Sequence, residues 1–207
     1  MLLDRAIVEV DKIFKNLFIP PVSERQHPGV ELDEAELSSE QRRQVVGLMR
    51  INHCGELCAQ GLYQGQALTA RDLAHKDAFA HAAFEEIEHL AWTAQRVHEL
   101  GGKTSVLNPI YYLASLTMGV AAGILGDRWN LGFLEETEKQ VEQHLTEHLE
   151  LLPAEDQKSK AILQQMRDDE IRHAQMAHDY GAAELPLGIK LLMKLSSKLM
   201  TKTTYYL

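Results

Sequence analysis

"EEIEHLAW" at residues 85–92 and "DDEIRHAQ" at 169–176 carry the same device, a Glu-x-x-His preceded by another acid. In the first, Glu86 stands three residues before His89; in the second, Glu170 stands three before His173. On an α-helix such residues lie about 60° apart around the axis, so one face can present both to a single metal ion. A third pair, Glu24 with His27, is followed at once by Pro28 in loop-like sequence and is read as a chance occurrence.

Acids upstream give the repeat its meaning. Glu56 precedes Glu86 by 30 residues, and Glu138 precedes Glu170 by 32. In an antiparallel helical hairpin, residues equidistant from the turn share one height. The first pair centres on residue 71, where the helical pattern lapses at "TARD" (69–72), and the second on residue 154, just after Pro153. The spacing therefore predicts two hairpins, each offering a Glu from one helix and a Glu-x-x-His from the next. Four carboxylates and two imidazoles on facing helices form the ligand set of ferritin-like di-metal bundles. Such hard ligands suit iron or manganese better than structural zinc.

The rest of the chain accommodates that frame. Ser38 with Gln41 forms a capping-box pattern, and apolar residues at helical spacing run from there to about Ala70. Further helices are expected over 72–100, 109–125, 128–152, and from just after Pro153 to near Gly181. No alternating β-branched run or Asn-Gly hairpin signals a strand. The expected fold is all-α: a ferritin-like four-helix bundle over 38–181, with a long apolar crossover helix and additional amphipathic terminal helices. Residues 1–207 form a single domain in this reading, with 1–37 as an N-terminal arm and 20–37 as a loop.

Other residues near the repeat invite two readings each. Asp169 and Glu85 precede the ligating glutamates and either accept hydrogen bonds from the histidines across the hairpins or are surface acids. His53, one turn before Glu56, either supports the metal site or is a core histidine bonded to a backbone carbonyl. Cys54 and Cys58 lie about 200° around the helix from Glu56, so they are read as packing residues facing away from the metals. Two cysteines give no disulfide framework and suit a reducing compartment.

Charge and hydropathy narrow the partners. The net charge is −9, and the four lysines and no acid of residues 188–207 leave −13 on residues 1–187. That excludes a general nucleic-acid binder. The N-terminus has acids among its apolar residues, unlike a secretory leader. "IYYLASLTMGVAAGIL" (110–125) has sixteen residues, short of the roughly 20 needed to cross a bilayer. It is expected to be either fully buried or interfacial. At 186–204, Lys190, Lys194, Lys198 and Lys202 recur every four residues beside Leu191, Leu192, Leu195 and Leu199. This basic amphipathic helix, with the apolar crossover, suggests peripheral association with a membrane surface and a lipophilic substrate.

Taken in order, "MRINHCGELCAQGLYQGQ" (49–66), "EEIEHL" (85–90), the apolar crossover, "EKQVEQHL" (138–145) and "RDDEIRHAQMAHDYGAAELP" (167–186) resemble the demethoxyubiquinone hydroxylase family of ubiquinone biosynthesis. The likeness spans about residues 45–187. It implies that Glu56, Glu86, His89, Glu138, Glu170 and His173 bind two iron ions, the four glutamates also acting in catalysis. It implies a prenylated benzoquinol or benzoquinone lacking one methoxy group as substrate, hydroxylated on its ring with O2. His144 matches a histidine the family places near the quinone; mitochondrial members carry Tyr at the next position, where this chain has Leu145. The resemblance and the lack of a transit sequence suggest a bacterial enzyme at the cytoplasmic side of the inner membrane. The competing reading is a ferritin-like iron oxidation and storage protein with no organic substrate, and homo-oligomers suit either.

Overall fold

A computed structural model describes the chain from Leu2 to Leu207, with the side chains of residues 2, 3, 5, 6 and 73–78 left outside the description. The elements in order are α1 (Leu2–Phe18), α2 (Ser39–Thr69), α3 (Leu73–Glu99), α4 (Asn108–Ile124), α5 (Asp127–Leu151), α6 (Gln157–Asp179) and α7 (Leu187–Thr204). Among the described residues there is no strand.

Local chemistry sets the helix ends. At α2 the capping box is complete: the Gln41 N–H donates to Ser38 Oγ at 3.2 Å, and the Ser38 N–H donates to Gln41 Oε1 at 2.9 Å. The α2–α3 turn falls at 70–72, where the Arg71 and Asp72 N–H groups each donate to the Asp127 carboxylate at 2.9 Å. Asp156 caps α6 by accepting from the Ser159 N–H at 3.1 Å. Both hairpins thus turn where the Glu spacing required.

Cross-bundle contacts fix the directions. Asn52 meets His148, Tyr63 meets Glu138 and Gln66 meets Asn130, so α2 and α5 run antiparallel. His89 meets Asp169 and Arg96 meets Asp156, so α3 and α6 are antiparallel too. With α2 and α5 opposed, the chain must climb the length of the bundle between α3 and α5. Helix α4 makes that climb alongside α2, and glycines let it come close. A Cβ on Gly65 would lie 2.3 Å from the Leu116 carbonyl oxygen, and one on Gly119 would lie 2.2 Å from that of Leu62. Backbone contact of this kind is the use of small residues at helix crossings.

This packing removes one of the two alternatives for the apolar segment. Segment 110–125 is not fully buried: Tyr112, Ser115, Gly119, Ala122 and Gly123 face inward, while Ile110, Leu113, Met118, Ile124 and Leu125 are exposed. A one-sided stripe of small residues seats the helix on α2 and leaves its larger apolar residues outside. The N-terminal arm likewise begins as a helix, α1, which lays Ile13 and Leu17 on Leu57, Leu90 and Tyr112.

The bundle core is split along its length. One apolar cluster gathers Leu48, Met49, Trp92, Leu145, Leu163 and Met166, and the other gathers Tyr63, Phe79, Leu131, Leu134 and Ala177. Between them lies a layer of buried acids and histidines.

Candidate metal centre

Four helices each contribute to that layer: Glu56 from α2, Glu86 and His89 from α3, Glu138 from α5, Glu170 and His173 from α6. All six are at most 4% exposed. They form two overlapping groups, Glu56–Glu86–His89–Glu170 and Glu86–Glu138–Glu170–His173, with ligand atoms in each within 4.8 Å of one another. Glu86 and Glu170 belong to both groups. The arrangement is two metal positions with two shared carboxylates between them.

The imidazoles are oriented alike. His89 turns Nδ1 inward, 3.2 Å from Glu86 Oε2 and 3.3 Å from Glu170 Oε1. Its Nε2 lies 2.9 Å from Asp169 Oδ2 on the opposite hairpin. His173 mirrors this, with Nδ1 3.3 Å from both Glu170 Oε2 and Glu86 Oε1, and Nε2 2.7 Å from Glu85 Oε2. Asp169 and Glu85 therefore take the hydrogen-bonding alternative and not the surface one. Such partners fix the ring orientation and raise ligand basicity.

Burial obliges the layer to have its negative charge compensated. Burial, then the neighbouring Glu86 carboxylate, pushes the Glu56 carboxyl well above its ordinary range; burial and Glu170 do the same to Glu138. Burial opposes ionisation of Glu86 as well, but contacts with Glu56, His89 and His173 hold it well below the ordinary range. Burial disfavours the charged imidazoles, yet the surrounding carboxylates outweigh it and keep both His89 and His173 protonated. Burial also works against Asp169, but His89, Gln165 and Arg172 hold it down to about 2. Protons here do what metal ions do in a loaded site, compensating carboxylates that would otherwise cost several kcal/mol each to bury. One oxygen of each shared glutamate, Oε1 of Glu86 and of Glu170, is buried without a hydrogen-bond partner. These oxygens have only the 3.3 Å ion-pair contacts to His173 and His89, and acceptor capacity left over on the two shared residues fits a pair of metal ions. The donor set is the carboxylate-rich one that suits di-iron.

The sequence of the family described as Ubiquinone biosynthesis protein COQ7 matches residues 43–204, which include all six residues. This chain belongs to that family. Among relatives of the COQ7 family chain, the 3-demethoxyubiquinol 3-hydroxylase of Laribacter hongkongensis is 59% identical over 100% of both chains. The protein of the same name from Chromobacterium violaceum is 57% identical over 99% of each chain. A solved dodecameric thioferritin, the bacterioferritin-related protein from Bacteroides fragilis, superposes with a TM-score of 0.54 at 20% identity, covering 75% of this chain and 90% of that one. That likeness shows the ferritin-like fold.

Other residues singled out from the sequence of this COQ7 family member lie elsewhere. His53 is in neither ligand group; its Nδ1 is 3.5 Å from the Asn108 amide, not against a backbone carbonyl, and burial followed by nearby His98 lowers it to about 4. Cys54 is buried and Cys58 half-buried, the latter meeting Ser115 of α4, and neither joins the ligand groups. His144 packs against His148 with ring centroids 3.8 Å apart and the planes tilted by 56°. Both line a cavity of about 470 Å³ between α2, α5 and α7, which also takes in Leu48, Ile51, Lys194 and Lys198. The buried His144 Nε2 has no hydrogen-bond partner.

Two features escaped the sequence reading. Tyr63 donates its hydroxyl to Glu138 Oε1. Its place seven residues after Glu56, on nearly the same face of α2, was the one available signal. Arg96 is wholly buried and binds Asp156, Glu34, Glu99 and Ser159, so it joins α3, α6 and the N-terminal arm. A cation in a helix gives no local sign that its partners are distant in sequence.

Proposed function

We propose that this chain hydroxylates the ring of a prenylated demethoxybenzoquinol with O2, a late step of ubiquinone biosynthesis, as the names of its full-length relatives suggest. The observation that carries the reading is the pair of buried ligand groups sharing Glu86 and Glu170. Glu56, Glu86, His89, Glu138, Glu170 and His173 would hold two iron ions. Bound there, iron supplies the redox equivalents and exchangeable positions for O2 that amino-acid side chains lack.

The protein's own contribution is placement and exclusion of water. Apolar clusters close both ends of the polar layer, and Trp92 packs against the His89 ring at 5.5 Å between centroids. A sealed, pre-oriented site strengthens every charge interaction inside it. Asp169 and Glu85 keep Nδ1 of each histidine turned inward. The cavity beside His144 would take the substrate. Burial disfavours the charged form of His144, and its ring would serve as a polar neighbour of the quinol in that cavity. Leu48 and Ile51 offer apolar contact there.

Association with the inner membrane from the cytoplasmic side completes the reading. No described helix is long and apolar enough to cross a membrane. The adjoining helices α1, α4 and α7 instead expose Phe14, Phe18, Ile110, Ile124, Leu192 and Leu195, the last two 65–66% exposed. An outward apolar face edged by lysines supports an interfacial position on anionic lipid. Co-sedimentation with anionic vesicles tests it: a Leu192→Glu/Leu195→Glu variant that binds as well as wild type would sink the membrane reading.

The enzymatic reading is tested with iron-loaded protein, a reduced short-chain demethoxyquinone and isotopically heavy O2. One heavy oxygen in the extracted ring is the expected result. Ferrous iron oxidation without ring labelling would return the storage reading to the front.

A further inference from the structure

The two metal positions are built from a duplicated hairpin, yet one detail is not duplicated. Facing partners on α2 and α5 have residue numbers that add to about 200, as in Asn52 with His148 and Tyr63 with Glu138. By the same register Glu56 lies level with His144 and Leu145. Tyr63 follows Glu56 by seven residues, and Leu145 follows Glu138 by seven. Tyr63 and Leu145 are therefore counterparts under the duplication, each on one helix and level with the ligand glutamate of the other.

Their chemistry differs completely. The Tyr63 side chain is buried, 1% exposed, and its hydroxyl donates to Glu138 Oε1. Leu145, equally buried, packs into the apolar cluster with Leu48, Met49 and Met166 and has no donor to offer. Among the described residues no hydroxyl or amide side chain bonds Glu56; it meets only other members of the ligand groups, the Glu86 carboxyl and His89 Nδ1 at 3.7 Å.

We propose that Tyr63 is a positioning residue that latches Glu138, while Leu145 leaves Glu56 unlatched, so that the two metal positions are unequal. A hydrogen bond to one carboxylate oxygen fixes the plane of the group and leaves the other oxygen for the ion. Glu138 is then held to one mode of binding. Glu56 has partners only within the ligand groups, Glu86 and His89, so when an ion takes the place of those contacts it would be free to turn. An ion held by Glu56 would have the more adaptable coordination, and Glu56 lies one turn from Asn52, which meets His148 at the cavity proposed for substrate. The asymmetry rests on the metal-pair reading and adds which half of it faces the organic substrate.

Mössbauer spectra of the full chain loaded with ferrous iron of the active isotope test this without recourse to turnover. The wild-type spectrum is expected to contain two ferrous components of equal area. Tyr63→Phe, which removes one oxygen and keeps the ring, should shift one component, leave the other in place, and retain both irons. Leu145→Tyr, which installs the missing counterpart, should shift the other. If Tyr63→Phe moves neither component, or moves both alike, the latch is wrong although the metal pair stands. If wild-type protein does not bind two irons, the metal-pair reading fails and the latch with it. Should Leu145→Tyr fail to fold because of its added bulk, Tyr63→Phe alone decides.

Discussion

Asp169 on α6 lies 2.9 Å from the Nε2 of His89 on α3, so the acid preceding one shared glutamate orients the imidazole of the opposite hairpin. The contact is returned by Glu85 to His173. The metal layer thereby locks the two hairpins to each other as well as holding its ions. Asp169→Asn, which keeps the shape and removes the charge, should weaken metal binding about 10–100-fold while the helical fold persists. Calorimetric titration of metal into the apo protein, with circular dichroism as control, measures both; unchanged affinity would count against the orienting role.

Shared and unshared ligands should behave differently. Glu170 serves both ligand groups, whereas Glu56 serves one. Glu170→Ala is expected to lose both irons, and Glu56→Ala to keep the one on the His173 side. Iron content per chain after desalting gives the answer, and equal losses in the two variants would contradict the sharing.

Arg96 has no exposed side-chain surface and is 2.9 Å from buried Asp156, the residue that also caps α6. Removing one member of a buried pair strands the other charge, at about 3–5 kcal/mol. Arg96→Met should lower stability by that order in denaturant titration, with iron stoichiometry unaffected in the folded protein. A change under ~1 kcal/mol would show that the network is solvated.

His53 supplies a pH test away from the ligands. Its folded value of about 4 lies below the ordinary 6.5, because burial disfavours the charged ring. As pH falls through this window the unfolded chain takes up a proton that the native state refuses, so native stability drops with acidification. The slope at its steepest is ~1.4 kcal/mol per pH unit. Unfolding free energies between pH 6.5 and 4.5 should fall less steeply in His53→Gln than in wild type, and parallel profiles would show that His53 takes no part.

Much of this was legible in one dimension because the information is periodic. Ser38 with Gln41, the lapse at 69–72 and Pro153 mark helix ends through local backbone chemistry, and the i, i+3 spacing of Glu86–His89 and Glu170–His173 defines a face. Helical hairpins convert equal distances from a turn into equal heights, so Glu56 and Glu138 could be placed from spacing alone. The crossed acids Asp169 and Glu85 were readable only as one of two alternatives, since a sequence shows which residues share a face but not what faces them.

What only the tertiary structure decided is the pairing between segments far apart in the chain. The latch of Tyr63 on Glu138, the burial of Arg96 against Asp156, and the seat of His53 beside Asn108 depend on the register of helices joined through long connections. The half-exposed state of α4 depends on Gly61 and Gly65 of α2 meeting the α4 backbone at Tyr112 and Leu116, and on Gly119 and Gly123 of α4 meeting Leu62 and Thr69, closely enough for a narrow stripe to suffice. Helix formation and ligand spacing follow from backbone geometry within one or two turns. Register between helices is set by side-chain packing summed over the whole bundle, and no single stretch of sequence contains it.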